Sequence, residues 1–164
     1  MYRLLIADDE QITRKAIRML VDKYVPEITE IFEADSGRAA IELAANVHPD
    51  LICMDIKMPG IDGLEAARTI CTTAPNTSVI IISAYDEFSF AKDALSLGIN
   101  HYLLKPISKT EFLAAVQDIL EKKGLQKKRA DSHYQLKEQV YKVQRELDRQ
   151  ITYSLMIGDM DRLE

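Results

Sequence analysis

Leu51-Ile52-Cys53-Met54-Asp55-Ile56-Lys57-Met58-Pro59-Gly60 joins four apolar residues to an aspartate and then, almost at once, to a Pro-Gly turn signal. A short apolar run bounded by turn formers reads as a strand buried on both faces. In an open α/β sheet, ligands sit just beyond the carboxyl ends of the strands. Asp55 is thus where a reactive group belongs, provided the flanking chain builds such a sheet.

It does so on both sides. Leu4–Ala7 predicts a first strand, followed by a helix over Gln11–Tyr24 with Ile12, Ala16, Met19, Leu20 and Lys23 at helical spacing, closed by Pro26. Thr29–Ala34 alternates like a more exposed strand. Asp35 or Ser36 can cap a second helix through Ala39, Ala40, Leu43 and Ala44, with Pro49 just past its end. After Asp55 come a helix over Leu64–Thr72, the very apolar strand Ser78–Ser83, expected at the centre of the sheet, and a helix over Phe88–Leu97 stopped by Gly98. His101–Leu104 predicts a fifth strand, and Ser108 or Lys109 opens a fifth helix. Strict alternation with short loops predicts a doubly wound (βα)5 parallel sheet.

The remainder departs from that pattern. Residues 1–121 hold 11 Lys+Arg against 19 Asp+Glu, whereas residues 122–164 hold 10 against 7. The shift places a boundary near Gly124, with a domain over 1–121 and a helical extension over 122–164. It also argues against nucleic-acid contact by residues 1–121. The extension lacks proline, and Leu136, Val140, Val143 and Leu147 follow 4-3-4 spacing, continued imperfectly by Ile151. Two readings stay open for it: a coiled-coil dimerisation seam, or an amphipathic helix packed on its own or another domain. No apolar run is long enough to span a membrane, and Met1-Tyr2-Arg3 runs directly into a strand, unlike a signal peptide. Cys53 and Cys71 read as small buried hydrophobes of a reducing compartment, which makes the cytoplasm the expected location.

The carboxyl ends of the predicted strands carry Asp8 and Asp9, then Asp55, Ser83 and Lys105. Any one alone would pass as a loop residue; five polar residues at four converging strand ends do not. Clustered carboxylates raise one another's pKa unless a cation intervenes, and an all-oxygen set suits Mg²⁺. With Lys105 as a fixed positive charge, such a site favours a phosphoryl group, and an aspartate can accept it as an acyl phosphate. Rival chemistries lack their parts. His48, His101 and His133 have no metal-ligand spacing, Cys53 has no histidine partner, no serine elbow occurs, and no phosphate-cradling glycine loop is present.

Four segments together resemble the receiver domain of two-component response regulators: Ala7-Asp8-Asp9-Glu10, Met54 through Gly63, Ile82-Ser83-Ala84-Tyr85 and Tyr102-Leu103-Leu104-Lys105-Pro106-Ile107. The resemblance covers residues 1–121 in order. It implies a flavodoxin-like five-stranded sheet of order 2-1-3-4-5, with Asp55 as phosphoacceptor for a sensor histidine kinase. It further implies that Asp9, Asp55 and the backbone carbonyl of Lys57 bind Mg²⁺, that Asp8 acts through a water, that Ser83 hydrogen-bonds the phosphoryl group, and that Lys105 pairs with its charge. Ser83 and Tyr102 would form the conformational switch, and Lys105-Pro106 is a candidate cis peptide. Such a protein is a switch and not an enzyme beyond its own phosphorylation and dephosphorylation. The enzymatic alternative is an aspartyl-phosphate phosphohydrolase of the haloacid dehalogenase type, which needs a second aspartate two residues after the nucleophile; Lys57 stands there.

The stretch Ser83–Phe88 followed by Leu103–Ile107 resembles receivers joined to AraC-type DNA-binding domains. Nothing after Gly124 has the helix-turn-helix pattern, so DNA binding is an expectation about a longer parent, through a domain absent here. A homodimer is expected through the strand-four/helix-five face, the tail helix or both, and no membrane partner is expected.

Overall fold

Each of the inner strands buries alternate residues against opposite faces of one sheet. Leu4 and Ile6, Leu51 and Cys53, and Ile80 and Ile82 belong to one apolar cluster; Leu5 and Ala7, Ile52 and Met54, and Val79 and Ile81 belong to the other. Strands so placed have no polar face, which is why they read as continuous apolar runs. The structure is a computed structural model that describes the backbone of residues 1–84 and 98–160, and side chains up to residue 146 and at 149. The helix expected over Phe88–Leu97, together with Tyr85, lies outside the described residues.

The described elements, in order, are β1 (Tyr2–Ala7), α1 (Gln11–Tyr24), β2 (Ile28–Ala34), α2 (Gly37–Val47), β3 (Leu51–Asp55), α3 (Gly63–Thr73), β4 (Ser78–Ser83), β5 (His101–Leu104) and α4 (Lys109–Met160). All strand pairs are parallel, in the order β2-β1-β3-β4-β5. The fold is the doubly wound, flavodoxin-like α/β sheet that the alternation predicts, with a C-terminal helix. The middle strand is β3 rather than the more apolar β4, because the chain reverses direction across the sheet after β2. β4 is still flanked on both sides, and that suffices to make it apolar.

Two compact units divide the chain, Met1–Leu120 and Glu121–Glu164. Within the first, α1 contributes Ile17 and Val21 to one core cluster, joined by Phe112, Ala115, Val116 and Ile119 of α4; α2 and α3 supply Ala40, Ala44, Ala66, Ala67 and Ile70 to the other. The buried stripe of α1 differs from the expected one: Ile12 and Met19 are 79% and 72% exposed. α1 carries more apolar residues than one face holds, and Ile17 with Val21, one turn apart, won the core. Ser36, not Asp35, caps α2 by accepting from the Ala39 amide, and Asp62 caps α3 through the Glu65 amide. Gly124 lies inside α4, whose other residues are good enough helix formers to carry it.

Candidate functional site

Parallel register brings the polar strand ends together. Ala7 lies beside Met54 and Asp55 beside Ile82, so the residues just past β1 and at the ends of β3 and β4 share one edge. Asp8 follows β1 directly and is anchored by its amide to the Ala34 carbonyl of β2. Lys105 follows β5 and is anchored by its amide to the Ser83 carbonyl of β4 at 2.8 Å. The Lys105–Pro106 peptide is cis.

Asp8, Asp9 and Asp55 each present a carboxylate oxygen within 4.8 Å of the others. Asp8 and Asp55 are buried and Asp9 is exposed, so the cluster has a dry side and an open side. The Lys105 ammonium lies 2.9 Å from Asp8 Oδ2, 3.5 Å from Asp55 Oδ1 and 3.9 Å from Glu10 Oε2. Asp8 Oδ1 accepts from the Glu10 amide at 2.9 Å, so both oxygens of Asp8 are engaged. Asp9, Glu10, Asp55, Lys57, Ala84 and Lys105 line a cleft of about 220 Å³.

Burial pushes the Asp55 carboxyl up to about 6, with the Asp8 charge adding to the effect and Lys105 opposing it. For Lys105, burial works against the charged form but is outweighed by the hydrogen bond to Asp8 and the charges of Asp55, Asp8 and Glu10, so its pKa rises. A carboxylate that is reluctant to ionise beside two others marks a site short of positive charge. Three oxygen donors opening on a solvent-facing cleft fit a hard divalent cation that keeps several waters.

Ser83 and Tyr102 are not among the residues that line this cleft, although Ser83 adjoins its Ala84 and Lys105. Ser83 is fully buried at the end of β4 and does not line it. Tyr102 pairs in register with Ile81 and packs half-buried against the apolar cluster that contains Ile81 and Ile99. His48, His101 and His133 take no part; His101 instead bonds Asp118 at 2.8 Å. Cys53 is buried on β3, its thiol pushed up to about 12 by burial, which makes it inert.

The β3–α3 loop is held by close backbone approach. A Cβ on Gly63 would collide with the Asp55 carbonyl, and one on Gly37 with the Ile61 carbonyl. The Gly63 amide reaches the Ile56 carbonyl at 2.7 Å. The sequence marks Glu10 and Gly63 only as members of the receiver-like segments, and it signals no role for Gly37 or for the α1 arginine Arg14. By itself Gly63 reads simply as a turn glycine.

Residues 4–117 match the response regulator receiver domain. The chain belongs to that family. The receiver is 32% identical over 133 residues to the uncharacterized transcriptional regulatory protein YesN of Bacillus subtilis, a match covering 81% of this chain and 35% of that protein. It thus spans about a third of that relative's length. Among solved structures, the REC domain of AraT, a response regulator from Geobacillus stearothermophilus, is 36% identical with a TM-score of 0.71, covering 77% of this chain and 98% of that one. A chain of the CheX-CheY-BeF3-Mg+2 complex from Borrelia burgdorferi is 27% identical with a TM-score of 0.67, covering 73% and 89% respectively. The receiver therefore has transcriptional regulators among its relatives, and its cluster of Asp8, Asp9 and Asp55 is of a kind that can hold a cation.

Proposed function

We propose that this chain is a Mg²⁺-dependent phosphoryl switch, in which Asp55 accepts a phosphoryl group from a histidine kinase and so controls an attached output. The observation that carries this reading is the sharing of Lys105 between Asp8 and Asp55 inside a cleft that Asp9 opens to solvent. An Asp55 oxygen attacks phosphorus, the P–N bond of the donor phosphohistidine breaks, and its electron pair returns to the imidazole. Asp9, Asp55 and the Lys57 carbonyl would hold the cation, which, when bound, neutralises charge on the transferred group. Asp8, with both oxygens already engaged, is suited to a water-mediated role. Lys105 meets the new charge, and Ser83 must turn from its buried position to reach it. That movement opens space beside β5 for Tyr102, a local electrostatic event biasing a two-state element. The neighbour crystallised with BeF3 and Mg supports a hard cation and an anionic group in this fold.

A donor must bring its phosphohistidine to the cleft, so its docking surface has to border it. Ile12, Thr13, Ala16, Leu20, Pro106 and Ile107 line an apolar groove of about 290 Å³ that shares Lys105 with the cleft. This groove is our assignment for the kinase. In the second unit, Leu136, Val140 and Val143 are 60%, 56% and 61% exposed. Their 4-3 spacing, continued in sequence by Leu147, is self-complementary, and the flanking Gln139 and Gln144 set no like charges across the seam. We assign residues 122–164 as a helical linker that pairs with a second copy, in a parent whose further domain would contact DNA. Both cysteines are free, in keeping with the cytoplasm. No described helix is long and apolar enough to cross a membrane.

The test is phosphorylation by acetyl phosphate with and without Mg²⁺, read by intact mass. Labelling of wild type that depends on Mg²⁺ and disappears in Asp55→Asn is expected. Equal labelling of Asp55→Asn overturns the assignment. For the linker, sedimentation of residues 1–164 against 1–121 should show dimer against monomer, and identical monomeric masses at high concentration would refute pairing.

A further inference from the structure

Arg14 does not line the cleft, yet it is among the best-engaged side chains of α1. Its Nη1 donates to the Asp8 carbonyl at 2.7 Å and its Nε to Glu33 Oε2 at 3.1 Å, and its side chain is only 13% exposed. Glu33, on β2, also receives Arg18 Nε at 2.7 Å. The two arginines differ in their other contact: Arg18 Nη2 reaches the Ile31 carbonyl within β2, whereas Arg14 reaches the acidic turn.

The peptide between Asp8 and Asp9 is planar, so fixing the Asp8 carbonyl fixes the direction in which Asp9 leaves the strand. The turn is also held by the Ala34 carbonyl on the Asp8 amide and by Asp8 Oδ1 on the Glu10 amide. Neither of those bonds reports where the peptide plane points. Arg14 does, and Glu33 keeps Arg14 from swinging out to solvent.

We infer that Arg14, braced by Glu33, is a positioning residue that orients the Asp8–Asp9 peptide and thereby sets the affinity of the acidic cleft for a divalent cation. The inference rests on the cation-binding reading of that cleft. It makes a prediction of opposite sign to simple electrostatics. Deleting a cationic side chain near three carboxylates would strengthen binding of another cation; losing an orienting partner weakens it, typically by about 10-fold or more.

The experiment is titration calorimetry of the full chain with MgCl2, alongside urea denaturation, on wild type, Arg14→Met and Arg18→Met. Arg18→Met is the matched control, since it removes an arginine from the same helix and the same carboxylate. A Kd raised about 10-fold in Arg14→Met, with Arg18→Met equal to or tighter than wild type, is the expected result. Arg14→Lys, which keeps the charge but cannot span both acceptors, should fall between and serves if the methionine variant does not fold. Equal Mg²⁺ affinity in the Arg14 and Arg18 variants, or tighter binding by Arg14→Met, overturns the inference. Absence of Mg²⁺ binding by wild type overturns the cleft reading itself, and the role of Arg14 with it.

Discussion

The Lys105 ammonium stands 3.5 Å from Asp55 Oδ1 while hydrogen-bonded to Asp8, so one cation serves two buried carboxylates. It thereby occupies, from the side, part of the electrostatic demand that a divalent cation would meet. Replacing it by methionine should lower the stability of the metal-free protein by about 2 kcal/mol, less than the roughly 3–5 kcal/mol of a broken fully buried pair, because Asp55 can take up a proton instead. The same Lys105→Met variant should bind Mg²⁺ more tightly and regain stability as Mg²⁺ is added. Urea titrations in EDTA and in MgCl2 check both; unchanged metal-free stability would count against the shared-cation geometry.

Asp55 supplies a pH signature. Its carboxyl is raised to about 6 in the folded protein, from 3.8, chiefly by burial. The folded state therefore holds this proton more firmly than the unfolded state, and stability from this group is greatest below about pH 4 and declines as pH rises through 6. Asp55→Asn, which never ionises, should stabilise the metal-free protein at pH 7.5 by about 1–3 kcal/mol and give little gain at pH 4. Thermal melts in EDTA at the two pH values decide it. A gain of equal size at both would mean that ionisation of Asp55 is not the cause.

Gly63 and Gly60 separate packing from backbone conformation within one loop. A methyl on Gly63 meets the Asp55 carbonyl, so Gly63→Ala should cost about 2–3 kcal/mol and displace Asp55 enough to slow acetyl phosphate labelling. Gly60 has φ +81° with open space around its Cα, so Gly60→Ala should cost about 1–2 kcal/mol and leave labelling near normal. Melting temperature and labelling rate, measured on both, distinguish the two effects.

Ile12 tests the assigned docking groove. At 79% exposed it contributes little to folding, so Ile12→Asp should change stability by no more than about 0.5 kcal/mol. Acetyl phosphate labelling should be unaffected, whereas transfer from the phosphorylated kinase should fall about 10-fold, as for a central apolar contact. Equal transfer rates would place the kinase elsewhere.

What the sequence made legible follows from period and punctuation. Strands such as Leu51–Asp55 and Ser78–Ser83 are short, apolar and bounded by turn residues, and Asp8, Asp9, Asp55 and Lys105 are recognisable because each directly follows or ends one. Which stripe of α1 faces the core was only partly legible: of the expected Ile12-Ala16-Met19-Leu20-Lys23, Leu20 packs half-buried against the cluster, whereas Ile17 and Val21, in the cluster with Phe112 and Val116, take the buried face. The contact of Gly63 with Asp55 and the reach of Arg14 to Asp8 and Glu33 are likewise invisible locally. They depend on distances across the fold, and neither residue type signals such a role by itself.

The amide of Lys105 is bonded to the carbonyl of Ser83, at the junction where β4 and β5 end side by side. The two side chains assigned to greet the phosphoryl group are thus mounted on one hydrogen-bonded bracket. A displacement of either backbone strains the bond to the other. On the proposed reading, drawing Ser83 toward a phosphoryl group on Asp55 would also load the backbone of Lys105, and the β4–β5 junction would respond as one piece.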